Sequence, residues 1–387
     1  MASAVDGCRK TQSVSTSMAN SSSRGFLPVL YPITGQLFRP GKMESARALA
    51  TASPASRVPV SMLEHSSQFI APGSFSGNGT VTMQNPVHSE PTQSPREFLI
   101  AGCGYTGLRF ARKIQAQGHS VYAFTRSADT AQCFSECGIQ PLLADLSKPL
   151  TSLPLPNPDV VLWSVGFDRT AGVSRRSVWI DGLQRMLDAL PAANKPRNFV
   201  LTSSTSVYGD HDGEEVDESV PPAPASEAGQ VCLEAEALLA DFAAHQGDHA
   251  TILRLSGIYG PARLLRRLED LRSNRPIPAD PDAWLNLVHV DDIVQLLDYV
   301  CSTPGAAPLI NVACSKTPTR QLYYNTLAEL TSCPPPVFST SPQTRTSGRQ
   351  SAGNRKIVSA IRSHLPVQFL YEDIHAGLRH ALQHTDL

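Results

Sequence analysis

Gly102, Gly104 and Gly107, set in the run Phe98-Leu-Ile-Ala-Gly-Cys-Gly-Tyr-Thr-Gly-Leu-Arg109, have the type and spacing to cradle a phosphate. Gly102 suits a tight turn out of a strand, Gly104 lets the backbone approach a pyrophosphate, and Gly107 lets a helix pack closely on a sheet. Tyr105 and Thr106 open that helix, whose unpaired N–H groups and positive dipole end favour an anion. Arg126, followed by Ser127, ends the alternating stretch Ser120–Thr125. An acid there would bind an adenosine ribose, whereas an arginine pairs with the extra phosphate of NADP, so NADP is expected ahead of NAD. Asp145 falls where an adenine would lie, or caps the turn that follows. Ser164 ends another apolar run, beside Val165-Gly166 where a nicotinamide ring would sit. The plain alternatives are a glycine turn with no ligand and a surface arginine.

These residues need elements to hold them. Phe98–Ala101 reads as a buried strand, and Leu108, Ala111 and Ile114 share one face of a helix ended by Gly118. Further strands are predicted at 120–125, 141–144, 159–164 and 198–203, with a helix over 178–190 whose Ile180, Leu183, Met186 and Leu187 face inward. The alternation predicts an α/β fold with a Rossmann doubly wound parallel sheet, whose ligand site lies at the carboxyl ends of the strands. Gly102, Arg126, Ser164 and Ser204 all fall at such ends.

The chain has 387 residues, 41% of them hydrophobic, which is enough to bury a core. No run approaches the roughly twenty apolar residues that span a bilayer, so no membrane insertion is expected. The eight cysteines are scattered, and the close pair Cys133 and Cys137 has no second pair to complete a tetrahedral metal site. Reduced thiols and no metal follow. Residues 1–94 are rich in Ser, Ala, Thr and Pro and carry a surplus of basic residues, the composition of an organelle transit peptide. A chloroplast is the expected destination; the alternatives are a mitochondrion and a disordered tail in the cytoplasm. Residues 72–95 read as a linker, and 95–387 as the folded body, whose slight acidity argues against nucleic acid. Pro334 to Gly353 is a low-complexity loop, lying over a substrate cleft or simply solvated.

Four motifs stand in order: the glycine turn, Ser203-Ser-Thr-Ser-Val-Tyr-Gly209, Leu253-Arg-Leu-Ser-Gly-Ile-Tyr-Gly-Pro261 and Val288-His-Val-Asp-Asp292. Over about residues 96–384 the chain resembles the extended short-chain dehydrogenase/reductase superfamily, in its sugar-nucleotide epimerase/dehydratase branch. The resemblance implies a Rossmann core with a smaller, mainly C-terminal substrate lobe and the cofactor between them. It also implies hydride transfer assisted by a Ser/Thr, a Tyr and a Lys, the last two four residues apart. Ser204 matches the Ser/Thr. Ala228 and Cys232 stand where the tyrosine and lysine should be, and no Tyr-x-x-x-Lys occurs anywhere in the chain.

The chain therefore resembles an atypical member. Substitutes are available: Tyr208 or Tyr259 as acid/base, His289 as proton shuttle, Arg254 as anion clamp. Each has a packing alternative, and His289-Val-Asp291 could simply begin a helix. The readings are a slow NADP-dependent oxidoreductase or epimerase acting on a small carbonyl or nucleotide sugar, a non-catalytic dinucleotide-binding regulatory or assembly module, and, against the acidic body, a plastid RNA-binding protein. The partners expected are the dinucleotide cofactor, an unknown small-molecule substrate and a second copy in a homodimer.

Overall fold

A strand that is apolar on both faces must lie between helices, and Phe98, Leu99, Ile100 and Ala101 are all buried. The computed structural model describes residues 94–150, 153–263, 265–339 and 354–384. The transit and linker readings of 1–93, and residues 340–353 of the proline-led loop, lie outside the described residues. The first half of the body runs β1 (Glu97–Ala101), α1 (Tyr105–Ala116), β2 (Ser120–Thr125), α2 (Ala128–Glu136), β3 (Gln140–Leu143) and β4 (Val160–Trp163). A π-helical turn (Ser177–Asp181) then leads into α3 (Gly182–Ala189) and β5 (Asn198–Ser204). The second half runs β6 (Glu215–Val216), α4 (Glu227–Gln246), β7 (His249–Leu255), β8 (Gly257–Tyr259), α5 (Leu265–Arg272), β9 (Leu287–His289) and α6 (Val290–Ser302). It closes with β10 (Leu309–Val312), α7 (Arg320–Thr331), β11 (Lys356–Ile357) and α8 (Ile374–Gln383).

Seven strands form one sheet in the order β3-β2-β1-β4-β5-β7-β10, every pairing parallel. This is the predicted doubly wound sheet. Its order reverses between β1 and β4, where the connections leave in opposite directions and open a crevice at the strands' carboxyl ends. Gly102 and Ser164 border that crevice, and the Ser164 amide closes its floor by donating to the Ala101 carbonyl at 2.7 Å.

Side chains alternate across the sheet. Phe98 and Ile100 meet Phe110, Ala111 and Ile114 of α1 and Ile293, Leu296 and Val300 of α6 on one face. Leu99 and Val161 meet Leu183 and Met186 of α3 and Val231, Ala235 and Leu239 of α4 on the other. Each such burial contributes about 1.5–3 kcal/mol, so the turn after β1 stands on a rigid base. A smaller cluster joins Leu271 of α5, Tyr323 and Leu327 of α7, and Ile374 and Leu378 of α8 in the mainly C-terminal lobe.

Two local differences from the sequence reading have physical causes. The helix predicted over 178–190 opens with the wide π turn, which turns Trp179 toward the crevice, a common device beside ligand sites. Pro141 lies inside β3 rather than at its start, and is tolerated because β3 is the edge of the sheet, where a missing N–H breaks no ladder on the outer side.

Candidate functional site

Gly102 makes the turn and Gly107 the close helix approach that their spacing predicts. Gly102 has φ +92°, and a Cβ on it would meet the Ser164 carbonyl oxygen at 2.2 Å, so the turn out of β1 admits no side chain. A Cβ on Gly107 would meet the Gly102 carbonyl at 2.4 Å, which is the cost of bringing α1 down onto the strand end. A Cβ on Gly104 would meet nothing within 4 Å. Gly104 is thus open on the side that faces the crevice. No side chain caps α1, so its first-turn amides remain available to an anion.

Two cavities meet at this turn, and Gly102, Gly104, Val165 and Gly166 wall both. The first, of about 240 Å³, is lined by Phe124, Arg126, Asp145, Leu146 and Asp168. Arg126 and Asp168 face each other at 3.7 Å, both about half exposed. Asp145 lines the cavity and also makes the turn that the sequence allowed: its Oδ1 accepts the Ser147 amide at 3.0 Å and the Ser147 hydroxyl at 2.8 Å. Burial alone would raise its pKa, but these two hydrogen bonds, with Arg126 and Lys148 nearby, hold it below the ordinary value. Ser127 has a different role. Its hydroxyl caps α2 by accepting from the Thr130 amide at 3.2 Å, and it does not line the cavity.

The second cavity, of about 620 Å³, is lined by Tyr105, Thr106, Ser164, Ser204, Ala228 and Cys232. Ser204 Oγ accepts the Ser206 amide at 3.1 Å, which leaves the hydroxyl hydrogen for a group in the cleft. Ala228 offers no acid or base. The Cys232 thiol is pushed up to about 11, mainly by burial, against the opposing pull of Arg175 and the Ser206 and Ser203 hydroxyls, so it is neutral at pH 7. Tyr105 is held by its hydroxyl donating to the Pro261 carbonyl at 2.9 Å, with the Arg109 and Arg263 guanidinium groups over its ring.

Four candidate residues do not reach the cleft. Tyr208 is buried in the core; its hydroxyl donates to Asn311 Oδ1 at 3.0 Å and accepts from Arg254 Nη1 at 2.8 Å. Arg254 is no free anion clamp, because its Nη2 meets Glu236 Oε2 at 2.7 Å and its Nε donates to the same carboxylate. Tyr259 packs its hydroxyl against Gly377, with no hydrogen-bond partner among the described residues, and burial raises its pKa. His289 is fully buried, and its Nδ1 caps α6 by accepting the Asp291 amide at 3.2 Å. Burial, then His380 and Arg109, push its pKa down to about 3, so it stays neutral. The helix-start alternative describes His289 here. The common cause is burial: each polar tip is turned into packed surroundings that no spacing rule reveals.

Other residues lie at the cleft without having been singled out. Ser203 lines it and donates to Glu236 Oε1 at 2.5 Å. Arg175 lines it with its guanidinium stacked on the Phe167 ring at 4.3 Å, and Trp179 and Arg263 add an apolar wall and a second positive charge. Ser203 was legible as the start of the serine-rich run at a strand end; Arg175 and Trp179 carried no signal beyond following β4.

Residues 98–313 match the model of the NAD dependent epimerase/dehydratase family. Protein YeeZ of Escherichia coli (strain K12) is 27% identical over 293 residues, covering 72% of this chain and 97% of YeeZ. A Methylobacillus flagellatus protein described as an NAD-dependent epimerase/dehydratase is 32% identical, with a TM-score of 0.60, over 75% of this chain and 98% of that one. UDP-glucuronic acid 4-epimerase from Bacillus cereus, solved with NAD, is similar in fold, with a TM-score of 0.58 at 19% identity over 75% of this chain and 98% of its own.

Proposed function

Because the chain belongs to the NAD dependent epimerase/dehydratase family, we propose that residues 95–387 bind NADP(H) across the glycine turn and catalyse slow oxidoreduction or epimerisation. The substrate class is a small carbonyl compound or a nucleotide sugar. The observation that carries this reading is the open face of Gly104 between two cavities that share its walls. The bound dinucleotide would supply or accept hydride. The α1 amides hold its pyrophosphate, the Arg126 side holds the adenosine end, and Ser204 donates its hydroxyl hydrogen to the substrate oxygen. Ala228 and Cys232 leave the cleft without a phenol and ammonium, and losing general acid/base assistance costs about 10²–10⁴-fold. Slow turnover follows.

Arg126 supports NADP over NAD, with Asp168 as the internal competitor that the extra phosphate must displace. A charge-assisted pair contributes about 1.5–3 kcal/mol, roughly ten- to a hundredfold in affinity. Calorimetric titration of Arg126→Ala is expected to lose that preference while NADH affinity holds; equal affinities in the parent protein would refute the NADP assignment. Ser204→Ala is expected to lower kcat/KM by about 10²-fold, as for loss of one donor to a developing oxyanion. NADP(H) affinity should stay unchanged. Turnover assays over nucleotide sugars and small carbonyls, run on both proteins, check this.

The same Ala228 and Cys232 pair favours a second reading, a regulatory or assembly module that binds dinucleotide without turnover. Tight NADPH binding with no reaction across the substrate panel would select it. For the basic, serine-rich residues 1–94, import into plastids is the proposal. A fluorescent fusion of that segment should enter the organelle, and diffuse cytosolic signal would exclude it.

A further inference from the structure

Three side chains from two distant parts of the chain converge beside Tyr105 of α1: His289 at the end of β9, Asp291 in the first turn of α6, and His380 in α8. We propose that they form a binding site for a divalent transition cation of the zinc type, which ties the C-terminal helix to the core. A ligand atom from each lies within 4.8 Å of the others. His289 Nε2 and His380 Nδ1 are 3.3 Å apart, and His380 Nδ1 lies 3.9 Å from Asp291 Oδ2. Ligands about 2.0–2.2 Å from a tetrahedral zinc ion stand roughly 3.3–3.5 Å from one another, so the two imidazoles already match and the Asp291 carboxylate must move in toward them.

Two imidazoles and one carboxylate are the borderline donors that suit zinc rather than magnesium or calcium. The carboxylate faces both rings: Asp291 Oδ2 lies 3.6 Å from His289 Nδ1 and 3.9 Å from His380 Nδ1. Arg109 of α1 is the nearby opposing charge, and it is engaged with the Tyr105 ring at 4.1 Å and the Tyr105 carbonyl at 2.8 Å.

The packing supports the site from behind. Tyr371 lies against the His289 ring at 4.0 Å and stacks on His380 at 4.8 Å, so both rings are oriented without a ligand. His289 is closed to solvent, whereas Asp291 and His380 are partly open, which supplies an entry path on their side. His384, just past α8, is not among the side chains whose ligand atoms lie within 4.8 Å of one another. The fourth position goes to water. Binding balances without net proton release. His289 Nε2 gives its lone pair to the cation while the ring hydrogen moves to Nδ1, toward the Asp291 carboxylate, at the cost of the capping bond from the Asp291 amide.

The test uses the full chain, stripped with chelator and dialysed against Zn²⁺, with His380→Ala and Asp291→Asn in parallel. One zinc per chain is expected, together with a raised thermal midpoint in the parent alone. Each variant should bind zinc at least about 100-fold more weakly, since even the partners behind a ligand are worth 10–100-fold. Far-UV circular dichroism matching that of the metal-free parent shows that both variants fold. Co²⁺ substitution gives a second reading on the parent protein alone: the visible bands of a four-coordinate nitrogen and oxygen site are expected. A thiolate charge-transfer band, substoichiometric zinc, or undiminished binding in both variants would overturn the proposal.

Discussion

Gly104→Val is expected to abolish dinucleotide binding, lowering affinity by at least about 100-fold, while the protein stays folded; Gly102→Ala, two residues earlier, is expected to do the reverse kind of damage. At Gly104 an added Cβ meets no protein atom within 4 Å, so the valine projects into the space through which a pyrophosphate would approach the α1 amides. Its cost to the fold is confined to a poorer helix start, about 1 kcal/mol. At Gly102 the backbone stands at φ +92° and the new methyl group would overlap the Ser164 carbonyl at 2.2 Å. Only separation of the β1 and β4 ends relieves that overlap, and it breaks the 2.7 Å bond between the Ser164 amide and Ala101. A loss above about 4 kcal/mol is expected, the range reserved for strain and overpacking at buried positions. Thermal melts paired with calorimetric NADPH titrations separate the two. An unchanged affinity in Gly104→Val would mean that the dinucleotide lies elsewhere.

Glu236→Gln is the second large effect. Glu236 and Arg254 are 6% and 4% exposed, and the carboxylate takes two hydrogen-bonding nitrogens of the guanidinium along with the Ser203 hydroxyl. Burial opposes the charge on Arg254, yet Glu236 raises its pKa, so the cation depends on its partner. Removing the negative charge leaves a buried arginine uncompensated, at about 3–5 kcal/mol. That is roughly a fifth or more of the stability of an ordinary domain. Urea denaturation should show the loss, and the double variant Glu236→Met/Arg254→Met should recover much of it, because an apolar pair of similar volume replaces two desolvated charges. If the single variant melts with the parent, the pair contributes nothing that water does not. The same change reaches the cleft, since Ser203 loses the acceptor that now orients its hydroxyl.

The local elements were readable because they obey local rules. β1 and α1 follow from an apolar run, a glycine turn and helical spacing, and the Gly107 approach to the Gly102 carbonyl is set within six residues, whereas the Gly102 contact with Ser164 crosses from β1 to β4. Ser204 falls at a strand end and lines the cleft, as do Ala228 and Cys232, the two residues that the family resemblance set at the tyrosine and lysine positions. Tyr208, Tyr259, His289 and Arg254 were candidates by type alone. Their partners are Asn311, Gly377, His380 and Glu236, between 18 and 118 positions away, and no periodicity links such pairs.

By itself, then, the sequence determined the parallel α/β class, the glycine turn and the absence of a Tyr-x-x-x-Lys pair, because strand burial, glycine φ freedom and residue identity are all properties of short stretches. Tertiary structure alone decided which polar side chains face the cleft and which are spent inside the protein. The reason is energetic. A polar tip loses water wherever the fold buries it and is retained there by whatever partner the packing delivers, as with Arg254 on Glu236 and Tyr208 on Asn311. Only the assembled sheet sets those meetings.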